Sequence, residues 1–341
     1  MRHLLIDIGS TSIKSAVCGR NGIRMAQRIP FPEPALDDGI FYEVETEKIL
    51  RIVRKLVDGS DCDDVYISTQ MHGYFLADAW SRLLTRYISW QDRRAGKAGI
   101  RLGVSAESGT SMKANLPRAG VEAIARSDPD LYSRAAEFFT LGSYIAFDLT
   151  GNNITHITDA AASGFYNVRT CTRETTRLRL PEASYEVRPA GIRNGKTIYT
   201  PCGDQQCAVS GAGGTEESLV LNLGTAAQLC TIENGFVSGN FESRPYFGGK
   251  TLCTVTGLSG GKRLRGLSAE ADERVEQELA DEYAAAVKRL PKRKKLIVTG
   301  GALRFYGKLI GRVVDRLGFL REFNEGADAL AGLKKLTEGK E

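Results

Sequence analysis

The sequence is poor in the residues that build metal centres and nucleophilic triads. Among its 341 residues there are only three histidines, His3, His72 and His156. It has no H-E-x-x-H stretch, and its seven cysteines form no C-x-x-C pair. We therefore expect no zinc site. Free thiols in a reducing cytoplasm fit this cysteine pattern better than a disulfide framework does.

Long apolar runs and a strong net charge are also missing. No stretch approaches the length of a membrane span, and Asp7 interrupts the apolar N-terminus, so we expect neither a membrane segment nor a signal peptide. A net charge of +5 is too small to indicate nucleic-acid binding. The one basic run, residues 288–295, is better explained as a solvated loop before a strand. These features predict a cytoplasmic protein with a small-molecule partner, and a homodimer stays open.

One motif points to an activity that the histidines exclude. Residues 257–261 read G-L-S-G-G and match the G-x-S-x-G nucleophile elbow of α/β-hydrolases. In that fold the catalytic histidine follows the serine along the chain. Here all three histidines precede Ser259. We therefore do not expect a hydrolase.

What the sequence does contain is three short apolar strands that each run into a glycine-rich turn. Glycine allows close backbone approach, and successive N–H groups in such turns form a concavity suited to phosphate. The turns occupy residues 7–14, 220–227 and 296–303. Their candidate ligands are Asp7, Gly9, Ser10, Thr11, Ser12 and Lys14 in the first turn, Gly224 and Thr225 in the second, and Gly300, Gly301 and Ala302 in the third. This order, with Asp204 in a loop between the first two turns, predicts ATP-dependent phosphoryl transfer.

The strand and helix patterns predict two α/β blocks. Each block opens with a strand that enters a Gly-Ser/Thr turn, which makes a pseudo-repeat of architecture, and the length suffices for two domains. We place the boundary where small residues cluster, giving domains 1–213 and 214–341. Apolar spacing predicts helices over Thr46–Asp58, with Thr46 as N-cap, and over residues 270–289. A cleft between two domains is the usual place for a ligand.

Several other residues in the sequence have two possible interpretations each. Asp204 directly precedes a predicted helix, so it is either an N-cap or a general base. His72 is either structural or a ligand contact. Trp90 is either a core residue or an apolar platform for a sugar face. Asp92 and Arg93 are either ligands or a structural ion pair.

Taken together, these motifs resemble the FGGY family of carbohydrate kinases, within the actin-like ATPase superfamily. The first two glycine turns are similar to the family's phosphate motifs, and the third to its adenosine motif. Residues 70–73 (Gln-Met-His-Gly) resemble a sugar-contacting turn of ketose kinases, and residues 90–94 resemble the block after it. Within the family, residues 221–229, 245–250 and 257–261 resemble sedoheptulokinases most.

The resemblance implies two RNase H-like domains around a central nucleotide and sugar cleft. It also implies a role for each candidate residue. Asp204 would be the catalytic base and Asp7 would hold Mg²⁺. The ligands of the first two turns would bind phosphates, and Gly300, Gly301 and Ala302 would lie against adenosine. Sugar contacts would come from Gln70, Met71, His72, Trp90, Asp204 and Gln205.

The implied reaction is transfer of the γ-phosphoryl group of MgATP to a hydroxyl of a ketose, such as sedoheptulose or xylulose, or of a related polyol. One departure from the family is that only about thirty residues separate Arg265 from the third turn, which implies a shortened C-terminal domain. Two alternatives stay open, a non-catalytic sugar or nucleotide sensor and an actin-like assembly protein. The turn at residues 70–73 and the intact Asp204 argue against the assembly protein and favour a kinase over the sensor.

Overall fold

The computed structural model describes residues 1–19, 22–100, 103–104, 111–224, 226–265, 273–326 and 328–338. It divides into two compact units. Unit 1 comprises Met1–Gln205 and Leu336–Glu341, and unit 2 comprises Gln206–Lys335. In the described ranges, no helix is long and apolar enough to cross a membrane.

Unit 1 is rich in strands. They are β1 (His3–Ile8), β2 (Ser12–Gly19), β3 (Gly22–Pro30), β4 (Leu36–Asp37), β5 (Tyr42–Val44), β6 (Asp64–Thr69), β7 (Tyr74–Ala77), β8 (Tyr87–Ile88), β9 (Gly103–Val104), β10 (Ser111–Met112), β11 (Glu137–Thr140), β12 (Ile154–His156), β13 (Tyr166–Asn167), β14 (Thr172–Arg173), β15 (Glu182–Ser184), β16 (Pro189–Arg193), β17 (Lys196–Tyr199) and β18 (Cys202–Gly203). Its helices are α1 (Thr46–Asp58), α2 (Arg94–Lys97), α3 (Pro117–Ser127), α4 (Pro129–Arg134), α5 (Leu141–Thr150) and α6 (Ile157–Ala160).

Helix α7 (Asp204–Gly211) begins at the end of unit 1 and continues in unit 2. The remaining strands and α-helices of unit 2 begin with a run of four strands. They are β19 (Ser218–Leu223), β20 (Ala227–Glu233), β21 (Glu242–Pro245), β22 (Thr251–Leu258), α8 (Gly261–Leu264), α9 (Glu273–Val287), β23 (Lys295–Thr299), α10 (Leu303–Asp315), β24 (Leu320–Asn324) and α11 (Ala329–Thr337).

The main sheet of unit 1 has the strand order β16-β17-β6-β1-β2-β3, and β18 also pairs with β6. Strand β1 is antiparallel to β2 and parallel to β6. All six residues of β1 and of β6 are buried, as expected for central strands covered on both faces. The register sets Ile8 of β1 beside Thr69 of β6, and Thr69 beside Gly203 of β18. The carboxyl ends of these three parallel strands therefore meet at one edge of the sheet.

Helix α1 confirms the predicted bounds of Thr46–Asp58 but not the predicted cap. Its buried face includes Ile49 and Val53, as the apolar spacing predicts. The N-cap residue is Glu45, which makes no side-chain capping hydrogen bond, and Thr46 is the first helical residue. The N-cap prediction for Thr46 is therefore wrong, because the extended backbone needed for a cap falls one residue earlier.

Unit 2 repeats the pattern of unit 1 around β19. Its sheet has the order β21-β22-β20-β19-β23-β24, with β19 antiparallel to β20 and parallel to β23. Helices α9 and α10 pack on the apolar side of this sheet through Tyr283 and Ile310, among others. The predicted pseudo-repeat of architecture is confirmed. Helix α9 lies within the helix expected over residues 270–289, and residues 266–272 lie outside the described part of the chain.

The two compact units divide at a different place from the predicted boundary. The predicted boundary ends the first domain at Gly213 and therefore places α7 in that domain. In the structure most of α7 belongs to unit 2. The reason is close packing with α11, since a Cβ on Gly211 would lie 2.3 Å from the Asp328 carbonyl oxygen, and one on Gly332 would lie 1.9 Å from the Cys207 carbonyl oxygen.

Candidate functional site

Asp7 is a buried carboxylate near the end of β1. Its Oδ1 accepts a hydrogen bond from the Ser68 hydroxyl at 2.9 Å, and its Oδ2 accepts one from the Lys14 ammonium at 3.1 Å. The sheet register explains both contacts, because Asp7 pairs with Lys14 on β2 and with Ser68 on β6. A buried charge without such partners would be costly. The two contacts fix the orientation of the carboxylate at the sheet edge.

The first glycine turn closes tightly between β1 and β2. The Gly9 N–H donates to the Ser12 carbonyl at 3.1 Å, and a Cβ on Gly9 would lie 3.3 Å from that oxygen. Ser10 and Thr11 form the tip, where Ser10 is half-buried and Thr11 is exposed. Ser12 is buried instead, and its hydroxyl accepts a hydrogen bond from Arg28 Nε at 3.1 Å. Of the three predicted phosphate donors, the structure therefore engages Ser12 within the fold.

The turn of residues 70–73 follows β6 at the same sheet edge. The Gln70 N–H donates to the Ile8 carbonyl at 2.8 Å, which ties this turn to the end of β1. Gln70 and Met71 are buried. The Nε2 of Gln70 has no hydrogen-bond partner among the described residues. Leaving a buried donor unpaired costs about 1–3 kcal/mol, so this amide is suited to meet an oxygen of a ligand.

His72 and Gly73 give this turn its unusual backbone. His72 has a φ of +67°, in the left-handed region that side chains rarely adopt. Its Nδ1 lies 2.9 Å from the Ala162 carbonyl oxygen and must carry the proton, because a carbonyl only accepts. A Cβ on Gly73 would lie 1.9 Å from the Tyr87 hydroxyl oxygen, so only glycine fits there.

Asp204 begins helix α7 directly after β18. Its Oδ1 accepts a hydrogen bond from the Gln205 N–H at 2.8 Å, so the carboxylate does satisfy a backbone group at the helix start. Gln205 is buried and Asp204 is half-buried. Since Gly203 lies beside Thr69, the chain leaves the sheet at Asp204 next to the turn of residues 70–73. The two interpretations of Asp204, helix start and base, therefore do not exclude each other.

Tyr87 lies close to Gly73 and to the carboxyl groups of Asp159 and Asp204. Burial raises the pKa of the Tyr87 hydroxyl well above its usual value, and the nearby charges of Asp159 and Asp204 raise it further. The hydroxyl has no hydrogen-bond partner in the described ranges. Tyr87 was not predicted as a site residue, because an aromatic residue in a short strand carries no sequence signal beyond that of a core position.

The block after β8 is mainly structural. Asp92 is buried and accepts hydrogen bonds from the Tyr42 N–H and from Arg94 Nε, each at 2.8 Å. Of the two alternatives for Asp92, ligand or ion pair, the structure shows an ion pair, and its partner is the half-buried Arg94 while Arg93 is exposed. Trp90 is half-buried, and its role as a sugar platform stays a prediction.

Unit 2 brings the second and third glycine turns together. Gly300 has a φ of +109°, and a Cβ there would lie 2.6 Å from the Leu223 nitrogen. The Ala302 N–H donates to the Leu223 carbonyl at 3.1 Å, and the Gly261 N–H donates to the Gly224 carbonyl at 2.8 Å. These three segments form one cluster at the end of β19, which we call the glycine cluster. The phosphate and adenosine roles of these residues stay predictions, and Thr225 lies outside the described residues.

Helix α9 supports the glycine cluster from one side. The Tyr283 hydroxyl donates to the Ser259 carbonyl at 2.6 Å, and Glu282 Oε1 accepts from the Ser259 N–H at 2.9 Å. Both backbone groups of Ser259 are thus held by one helix. The G-L-S-G-G segment, where we expect no hydrolase site, is therefore anchored to α9 beside the glycine cluster. Sequence reasoning missed Glu282 and Tyr283 because nothing local links them to a loop 23 and 24 residues away.

A fully buried carboxyl group, Asp159, lies beside the loop that leads to Asp204. Its Oδ2 lies within hydrogen-bond distance of the hydroxyls of Thr140, at 2.5 Å, and Thr155, at 2.8 Å. The Thr155 hydroxyl also lies 2.9 Å from the Pro201 carbonyl oxygen, and it has only one proton to give. When that proton goes to Pro201, Asp159 must itself be protonated to bond Thr155. Burial raises the pKa of Asp159 to about 6, which agrees with this donor count.

The chain matches the model of the FGGY family of carbohydrate kinases, N-terminal domain, over residues 3–212. It belongs to this family. The xylulose kinase of Staphylococcus xylosus is 24% identical over 277 residues, which cover 71% of this chain and 57% of that relative. The ligand-bound xylulose kinase of Lactobacillus acidophilus has a TM-score of 0.84 at 17% identity. The superposition covers 98% of this chain and 89% of that kinase. Plasmodium falciparum glycerol kinase with ADP has a TM-score of 0.77 at 13% identity, with 97% and 88% covered.

These likenesses confirm the predicted family and the α/β fold with actin-like ATPase domains. The chain spans little more than half the length of the curated relatives that it matches, 57% and 55% for two xylulose kinases. The sedoheptulokinase branch and the shortened C-terminal domain of this FGGY member stay predictions.

The first prediction concerns the pH dependence of stability. The folded-state pKa of Asp159 is about 6, above its ordinary value of 3.8. The stabilisation that protonated Asp159 gives the fold is therefore fully present below about pH 4 and is lost as the pH rises through 6. Asp159→Asn imitates the protonated acid, since its amide can donate to Thr155. The unfolding free energy of the native protein relative to this variant should therefore fall by on the order of 1–3 kcal/mol between pH 4 and pH 7. Urea unfolding at both pH values tests this, and a constant difference contradicts it.

The second prediction concerns Gly300. Gly300→Ala should destabilise the protein by more than about 1 kcal/mol, because its positive φ and the contact with Leu223 both exclude a Cβ. Gly301→Ala is the matched control, since a Cβ on this neighbour would meet nothing within 4 Å. Chemical unfolding of both variants decides it. Equal stability of the two would mean that the turns of the glycine cluster are not held together as described.

Proposed function

We propose that this protein is an ATP-dependent carbohydrate kinase that phosphorylates a hydroxyl of a ketose. One observation carries the proposal: the turns after β1, β6 and β18 meet at one sheet edge. They bring the buried Asp7 carboxylate, the turn of residues 70–73 and the start of α7 into one neighbourhood. Ligands of α/β proteins bind at the carboxyl ends of parallel strands.

In this proposal Asp204 is the general base. A carboxylate at this place can take the proton of the attacking sugar hydroxyl while the γ-phosphoryl group of ATP is transferred in line to that oxygen. The bond from the Gln205 N–H holds one carboxylate oxygen of Asp204 in place.

The turn of residues 70–73 and Gln205 would bind the sugar. Sugars need several convergent donors and acceptors, and the turn supplies the unpaired amide of Gln70 beside His72. The Nδ1–H of His72 is bonded to the Ala162 carbonyl, which fixes the orientation of the ring in this turn. The names of the curated relatives favour a xylulose-like ketose, whereas residues 221–229 resemble sedoheptulokinases. Both sugars belong in the first substrate panel.

In unit 1 the first glycine turn would bind phosphate oxygens of the nucleotide, since glycine-rich turns suit phosphate. In unit 2 the glycine cluster would bind phosphate and adenosine. Asp7 fits a role in holding Mg²⁺, since that ion prefers one or two carboxylates together with phosphate oxygens, and Ser68 already orients this carboxylate. When bound, Mg²⁺ neutralises charge on the phosphates. Lys14 adds a positive charge at the same edge.

A sugar or nucleotide sensor without catalysis is the alternative function. It is favoured by one feature of the sequence, that only about thirty residues separate Arg265 from the third glycine turn. A coupled ADP-release assay with a panel of ketoses and polyols separates the two. Ligand binding with no ADP release above background would favour the sensor.

The third prediction tests the base. Asp204→Asn should lower the turnover rate by about 10²–10⁴-fold and leave sugar binding largely intact, because asparagine keeps the size and the bond to Gln205 but takes no proton. Asp128→Asn is the matched control, since Asp128 also accepts a backbone N–H at a helix start, that of Leu131 at 2.9 Å. Its rate should stay within about twofold of the native rate. A folded Asp204→Asn enzyme with native turnover would reduce Asp204 to a helix cap.

The fourth prediction tests the sugar turn. His72→Ala should weaken sugar affinity by about 1–3 kcal/mol and leave nucleotide affinity unchanged, because only a sugar ligand would contact this turn. Asparagine tolerates the left-handed backbone better than alanine does, so His72→Asn separates loss of the ring from backbone strain. Calorimetric titration of each ligand gives the answer. Equal losses for both ligands would mark His72 as structural.

A further inference from the structure

The backbone that leads into Asp204 is held by a buried segment at the start of α6. The Gly203 N–H, one residue before Asp204, donates to the Thr158 hydroxyl oxygen at 3.0 Å. Two residues earlier, the Pro201 carbonyl accepts from the His156 N–H at 2.9 Å. His156 and Thr158 are each only 1% exposed. The start of α6 is therefore hydrogen-bonded to the residues on both sides of Cys202, Pro201 and Gly203.

The direction of the hydrogen bonds through this segment is fixed by their chemistry. His156 Nε2 lies 3.2 Å from the Tyr185 carbonyl oxygen, which can only accept, so this nitrogen carries the proton. Burial lowers the pKa of His156 to about 4, and the ring is therefore neutral at physiological pH. Its Nδ1 is then an acceptor, 2.9 Å from the Thr158 hydroxyl.

These assignments leave one arrangement for Thr158. Its hydroxyl donates to Nδ1 of His156, and its oxygen accepts from the Gly203 N–H. The bonds thus run in one sense, from Gly203 through Thr158 and His156 to the Tyr185 carbonyl. We call these four groups the Thr158 relay.

We propose that the Thr158 relay positions Asp204 for catalysis, with Thr158 and His156 as positioning residues for phosphoryl transfer. This proposal rests on the proposed function of Asp204 as the base. Gly203 is the last residue of β18 and Asp204 the first of α7, so the bond to the Gly203 amide holds the backbone directly before Asp204. A catalytic group misplaced by about 1 Å can lose on the order of 100-fold in rate.

The relay is more than a helix cap. His156 is the N-cap residue of α6, and its Nδ1 also lies 3.3 Å from the Thr158 N–H. Capping alone would use the backbone of Thr158 and leave its hydroxyl without a role. Instead that hydroxyl reaches a residue 45 positions away along the chain.

The test replaces Thr158 with an isosteric residue that has no hydroxyl. Thr158→Val should lower kcat about 10–100-fold, with the KM for sugar within about twofold of the native value. Thr158→Ser, which keeps the hydroxyl, should restore kcat to within about threefold. Thr200→Val is the matched control, because Thr200 is equally buried and its hydroxyl accepts the Arg188 N–H at 3.3 Å. Its kcat should stay within about twofold of the native value.

The outcomes separate this proposal from the proposed function. A folded Thr158→Val enzyme with native kcat, beside an inactive Asp204→Asn enzyme, overturns the relay alone. Native protein without kinase activity, or Asp204→Asn with native activity, overturns both. If Thr158→Val does not fold, His156→Gln leaves the Gly203 acceptor in place and should lower kcat by about threefold or more with KM unchanged. Unchanged kcat in that folded variant overturns the relay.

Discussion

The parallel pairing of β6 with β1 on one side and β18 on the other is the constraint on which the site depends. Because Thr69 lies beside both Ile8 and Gly203, three chain segments far apart in sequence leave the sheet at one edge. A shift of one residue in this register would turn every following side chain to the opposite face. The buried apolar residues of β1 and β6 oppose such a shift, so the hydrophobic core also fixes the place of the polar site.

Both units use the same local design, but only one carries a carboxylate in it. In unit 1 the residue before the last of the leading strand is Asp7, which pairs with Ser68. In unit 2 the corresponding residue is Asn222, which pairs with Thr299. A neutral amide needs no ion pair at such a position, whereas Asp7 requires Lys14. The repeated design of the two units therefore differs in charge at this one position of the leading strand.

Much of this protein could be predicted from its sequence. The bounds of α1, the glycine turns and the start of α7 at Asp204 rest on short-range rules of periodicity and turn chemistry, and the structure agrees with them. The Thr46 cap was predicted incorrectly and the ion-pair partner of Asp92 proved to be Arg94, because adjacent residues compete for these roles and packing decides between them. Other features join residues that are remote in sequence, and no local pattern predicts them. They are the contact of α9 with Ser259, the burial of Tyr87 beside Gly73 and the Thr158 relay.

The family, the α/β class and the candidate residues could be derived from the sequence alone, because glycine turns and polar motifs need particular residue types at fixed spacing. The three-dimensional fold was needed to show which of these residues are already engaged, as Ser12 is with Arg28 and Asp92 with Arg94. It also decided that Asp159 is buried where its protonation is favoured. The physical reason is that hydrogen-bond partners and burial depend on which segments the sheet register brings together, and that register is set by the packing of the whole core.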